Sequence, residues 1–214
     1  MLKDCYGIIL TIINFVNQCI ILIITSYVLY LSGAALTTVN VHAGLCTVGY
    51  VLLMSKALLV LTEENIWSRQ LSRRATHHVH WYLQLLGLAF SIAGVVVMFK
   101  TKEAHFKSTH AILGITSIAI LCFLSLSGIT VLFAVKLSTL VRPVIFKSVH
   151  SFLGIACFFL GMLAECYGYN KRWMVNTVGQ GIANVCITCT GIVTFICIFR
   201  PLKSFYHQVK SILE

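Results

Sequence analysis

The sequence predicts an all-α integral membrane protein, a six-helix bundle, and three observations carry that prediction. Of its 214 residues, 58% are hydrophobic and only 10% charged, too few polar groups to clothe a water-soluble globule. Six apolar stretches are each long enough to cross about 30 Å of hydrocarbon as helix. The connections between them are short and polar. A bundle of this kind uses up the chain, so residues 1–214 are read as a single transmembrane domain.

The first stretch, 7–31, has no small-residue cleavage site after a compact apolar core and is expected to remain as a helix rather than be removed as a signal peptide. The second, 39–62, opens just before His42 and contains Lys56. The third (80–99) begins at His80, the fourth (110–135) at His110, and the fifth (149–168) just before His150. The sixth is 176–199. Both prolines, Pro143 and Pro201, fall in or beside connections and leave the spans unbroken.

A formal charge of +10 raises the question of an anionic partner. The basic residues lie in short clusters between apolar blocks, not along one face, so they signal topology and no nucleic-acid partner is expected. Alternate connections hold Lys3, Arg69, Arg73, Arg74, Lys136, Arg142, Lys147, Arg200, Lys203 and Lys210 on one side. The other side holds Lys100, Lys102, Lys107, Lys171 and Arg172. That bias puts both termini in the cytosol. Most of the nine cysteines lie inside apolar stretches, where a thiol packs as a small hydrophobe. Cys186 and Cys189 form a C-x-x-C without a following His, so covalent haem attachment is excluded.

The informative regularity is one His opening each of the four central spans: His42, His80, His110 and His150. Antiparallel spans start on alternate sides, which pairs His42 with His110 near the non-cytosolic face and His80 with His150 near the cytosolic face. An ionisable group in a membrane helix needs a partner, and neutral imidazole is a strong axial ligand for iron. Two facing imidazoles per site would give two six-coordinate, non-covalent b haems in a central four-helix core, with no position open to O₂. Small residues accompany the ligands, with Gly114 four after His110 and Gly154 four after His150, on the ligand's own face. Glycine serves close helix packing as well as clearance for a macrocycle.

The competing reading is a non-haem transporter or membrane interaction protein whose histidines merely mark helix ends. A transporter calls for helices broken near the midplane, and the spans read as continuous. A metal carrier calls for carboxylates or thiolates beside the imidazoles, whereas Glu63, Glu64 and Glu103 read as loop residues and Glu165, at the end of the fifth stretch, is grouped with them.

Several segments resemble the cytochrome b561 family, in its short single-domain branch: Asn40-Val41-His42, Ala57-Leu58-Leu59-Val60, Leu71-Ser72-Arg73-Arg74, His80-Trp81-Tyr82-Leu83-Gln84, Thr109-His110 with Gly114, and His150 with Gly154. The likeness spans roughly residues 20 to 200, and the steps of 38, 30 and 40 residues between the four His make it specific. The resemblance implies axial ligation by the same four His. It also implies an ascorbate-dependent reductase: cytosolic ascorbate gives single electrons, which leave on the other side to ferric chelates or monodehydroascorbate. Arg73, Arg74, His77 and Lys147 would then dock the ascorbate anion, with His77 and His78 able to accept its proton. Arg73 and Arg74 also suit anchoring to anionic lipid headgroups. Lys102, His105 and Lys107 would hold an anionic acceptor, or form a solvated charge run. The branch implies endoplasmic reticulum or vesicle membranes and allows a homodimer. Two departures from the family pattern stand out: Ala43 where proline is common and Lys56 where an acid is common.

Overall fold

The computed structural model describes residues 2–132 and 142–214, and these contain helices but no strand. The helices are α1 (Leu2–Gly33), α2 (Thr38–Leu59), α3 (Arg73–Thr101), α4 (Thr109–Leu132), α5 (Pro143–Tyr169) and α6 (Arg172–Leu213). Six helices among the described residues are long and apolar enough to cross a membrane. The chain is a multi-pass, all-α membrane protein. The end of the predicted fourth span, 133–135, and Lys136 lie outside the described residues.

Helices α2 to α5 pack in a ring, while α1 leans on α2 and α6, and α6 on α5. Large apolar side chains such as Ile23, Phe123, Leu126 and Phe195 point outward and stay exposed. A patch of that kind would be a liability in water and is the expected surface against lipid.

Two helices start earlier than the hydropathy suggests. The Ser72 hydroxyl accepts from the Ala75 amide at 3.2 Å and caps α3, so the helix begins with polar residues ahead of the apolar run. Pro143 occupies the first turn of α5, where its missing N–H costs nothing. As a result His80 and His150 lie about two turns inside their helices, deeper than at a first turn. Helix α3 also carries three histidines, His77, His78 and His80, not one.

Three further departures have local causes. The middle of α2 widens into a π-helical stretch, Val48–Met54, which carries Tyr50. The Tyr50 hydroxyl bonds the Ser117 hydroxyl at 2.7 Å, which in turn donates to the Cys157 carbonyl at 2.7 Å, pinning α2, α4 and α5 together in the core. Helix α6 is broken at Gly179, whose φ of 79° is left-handed and suits glycine, so the sixth span is not continuous. Pro201, read as a connection, lies inside α6, which continues to Leu213.

Lys56 faces α1, donating from Nζ to Gln18 Oε1 at 2.8 Å, and Gln18 donates to Asn14 Oδ1 at 2.7 Å. A half-buried ammonium is thus answered by carboxamides, in keeping with the need of intramembrane charge for a polar partner. All nine cysteines are free.

Candidate functional site

His42 of α2 and His110 of α4 meet ring to ring, with centroids 5.9 Å apart and planes at 89°. Their orientation is set by neighbouring helices. His42 Nδ1 lies 2.9 Å from the Gly94 carbonyl of α3, and His110 Nδ1 lies 2.8 Å from the Ala164 carbonyl of α5. His80 repeats the arrangement, with Nδ1 2.7 Å from the Ala57 carbonyl of α2. A carbonyl can only accept, so each of these Nδ1 atoms carries a proton, and in the neutral ring each Nε2 keeps its lone pair. Gly168 makes room for the His110 ring, since a Cβ there would lie 3.3 Å from its Cε1.

The spacing of the His42 and His110 rings is compatible with a shared iron. Ligation from both sides through Nε2 needs ring centres about 6 Å apart, from two metal–nitrogen bonds of roughly 2 Å plus the distance from each nitrogen to its ring centre. The separation of the His42–His110 pair matches it.

The second level is a chamber of about 870 Å³ at the face where the basic loops gather. His80 and His150 both line it, with Gly128, Gly154, Met54 and Phe158. Its volume lies in the upper part of the range of cofactor sites. A Cβ on Gly154 would meet no atom within 4 Å, so that glycine borders open space. His150 Nδ1 is buried without a hydrogen-bond partner, an orphaned polar atom beside the chamber.

Of the residues proposed to dock the donor, Arg73, His77 and Lys147 line the chamber with the two histidines, while Arg74 is absent from its wall. Arg69 and Arg200 join them. Those two carried only a topology signal in the sequence, because their convergence depends on the fold-back of the loop before α3 and on the continuation of α6. Arg200 is also ion-paired with Glu64. On the other face Lys102 and Lys107 are exposed, and His105 lies flat on Phe99 with centroids 3.9 Å apart.

The roles of two residues escaped the sequence reading. Glu165 belongs to α5, not to a loop; it is buried, and its carboxylate accepts from the Thr47 hydroxyl at 3.2 Å. Its position just before the polar turn Gly168–Asn170 hid its burial. Asn40 is a latch: its Oδ1 accepts from Trp173 Nε1 at 2.7 Å and from the Thr37 hydroxyl at 2.8 Å. Its Nδ2 donates to the last carbonyls of α1, Leu31 at 3.4 Å and Ser32 at 3.3 Å. Asn40 thereby fixes the start of α2 two residues ahead of His42.

The sequence profile of eukaryotic cytochrome b561 matches residues 41–175, a stretch that contains all four of these histidines. The chain belongs to the cytochrome b561 family. Family membership makes it a transmembrane oxidoreductase and implies haem b as its prosthetic group. Its relatives include transmembrane reductase CYB561D2 of Bos taurus and of Mus musculus, each 27% identical over 192 residues that cover 88% of this chain and 86% of the relative. The Homo sapiens protein of the same name is 26% identical over the same coverage. No solved structure matches the chain.

Proposed function

We propose that this cytochrome b561 carries single electrons from ascorbate on the face of the chamber to a ferric chelate or monodehydroascorbate on the opposite face. His42 with His110, and His80 with His150, would each hold one b haem. Haem bound through two imidazoles supplies a one-electron couple with no coordination site left for O₂.

The protein's part is to orient, charge and seal. Backbone carbonyls of Gly94, Ala57 and Ala164 hold three imidazoles in the tautomer that presents Nε2. Arg73 and Lys147 supply positive charge for the ascorbate anion, and His77 can take the proton its oxidation releases. Arg74 suits lipid headgroups instead. The observation that carries this reading is the meeting of His80, His150, Arg73, His77 and Lys147 in one chamber. Lys102, His105 and Lys107 form the proposed acceptor side.

Both termini are proposed to be cytosolic, in endoplasmic reticulum or vesicle membranes, with residues 1–214 acting as one domain and a homodimer allowed. The test is an absorption spectrum of the purified protein in detergent before and after ascorbate. The reading expects a bis-imidazole b-haem spectrum that turns to the reduced form. Single replacements of His80 or His150 should abolish the ascorbate-facing centre, and of His42 or His110 the other. A colourless protein, or rapid ascorbate reduction in both the His80 and His150 variants, overturns it.

A further inference from the structure

Helix α6 runs on past the chamber. Beyond Arg200 it continues through Pro201 to Leu213, outside the stretch 41–175 that matches the family profile. This segment is tied down: Phe205 packs against Phe152 of α5 with ring centroids 5.8 Å apart, and Arg142 Nη2 donates to the Ser211 carbonyl at 2.9 Å. The docking brings Ser204 and Gln208, one turn apart on one face, to the wall of the chamber that also holds His80, His150, Arg73 and Lys147.

The polar groups of that wall are unevenly matched. Gln208 Nε2 donates to the Ser204 hydroxyl at 3.1 Å, and Gln208 Oε1 is buried with no partner. Across the chamber, one turn beyond His80, Gln84 Oε1 is buried with no partner as well. Buried acceptors without donors are uncommon and costly, at about 1–3 kcal/mol each. Around them the charged wall is mostly cationic, with Arg69, Arg73 and Lys147 against Glu63, while Arg200 is already paired with Glu64. A ligand answering both demands carries a negative charge for the cations and several hydroxyl groups for the carboxamide oxygens. An anionic polyol has both.

We infer that Gln208, buttressed by Ser204, is a donor-binding residue that accepts a hydrogen bond from a hydroxyl group of the anionic polyol reductant, so that the C-terminal end of α6 sets which reductants the chamber admits. The inference rests on the electron-donor reading of the chamber and names a specificity determinant within it. Cationic side chains would attract any small anion. The carboxamide on α6 distinguishes one that carries hydroxyls.

The test uses the full-length, haem-loaded protein in detergent and stopped-flow measurement of haem reduction against ascorbate concentration, with dithionite, which lacks hydroxyl groups, as a control reductant. In Gln208→Leu the half-saturating ascorbate concentration should rise about 5- to 10-fold, the worth of one hydrogen bond. The limiting rate, the haem spectrum and the dithionite reaction should stay as in the wild type. Ser204→Ala should give a smaller rise of the same kind, and Gln208→Met offers a close match in shape should leucine impair haem loading. An unchanged half-saturation overturns the inference. So does a fall in limiting rate alone, or loss of haem in all three variants, which would make the segment a structural cover. Wild-type protein that ascorbate fails to reduce would instead refute the donor reading itself, before any variant is compared.

Discussion

Two glycines of the same helix face different surroundings, and exchanging each for alanine separates packing from cofactor clearance. A Cβ on Gly161 would lie 2.8 Å from Tyr50 Cζ, with two other ring carbons nearer still. Carbon atoms need roughly 3.5 Å, so the ring would have to move by about one and a half ångströms. It has nowhere to go, being 3% exposed and held by the Ser117 hydroxyl at 2.7 Å. Overpacking of this kind costs about 1–3 kcal/mol, and straining the buried hydrogen bond adds about 1 kcal/mol. Alanine's better helix propensity returns up to ~1 kcal/mol, for a net loss of about 1–3 kcal/mol. Gly154→Ala meets nothing within 4 Å, so it should leave the stability of the haem-free protein unchanged or slightly raised, while placing a methyl group in the chamber and lowering haem content. Unfolding the two haem-free variants with dodecyl sulfate in mixed micelles, followed by tryptophan fluorescence, measures the difference. A gap below about 0.5 kcal/mol, against the ~1–3 kcal/mol expected, would refute the packing argument.

Reversing charge at the chamber should weaken donor binding selectively. Arg73→Glu and Lys147→Glu are each expected to raise the half-saturating ascorbate concentration about tenfold or more, as befits a lost charge-assisted hydrogen bond, whereas Arg74→Glu should change it less than about twofold. Stopped-flow haem reduction reads all three. Asn40→Ala removes the partner of Trp173 and frees the start of α2; it should cost about 1–2 kcal/mol and disturb the haem signal of the His42 level before that of the His80 level, as seen in thermal melts followed by absorbance. Thr47→Val takes away a hydrogen bond to the buried Glu165 carboxylate and should lower stability by about 1–3 kcal/mol, whereas Glu165→Gln should lose less than half of that in the same dodecyl sulfate assay.

What the sequence discloses depends on how local the cause is. The six spans follow from runs of apolar residues, and the number of helices needs nothing further. Helix ends are less visible because polar capping groups, Ser72 and Pro143, extend α3 and α5 past the apolar limit, and this buries His80 and His150 more deeply than a hydropathy profile implies. The π-helical turn around Tyr50 leaves almost no trace, and the break at Gly179 none beyond the glycine itself. The same holds within the site. Arg73 and Lys147 stand out as clustered charge near a histidine, but Arg69, Gln84, Arg200 and Gln208 reach the chamber from the loop before α3, from α3 and from the end of α6. Glu165 makes the physical point most sharply. A carboxylate a few residues from a polar turn reads as solvated, and only the presence of Thr47 on the facing helix gives it a reason to be buried. Periodicity reveals which residues can line a membrane bundle; which of them meet is decided by the pairing of helices, through contacts such as the Gly94, Ala57 and Ala164 carbonyls that turn three imidazoles toward a common task.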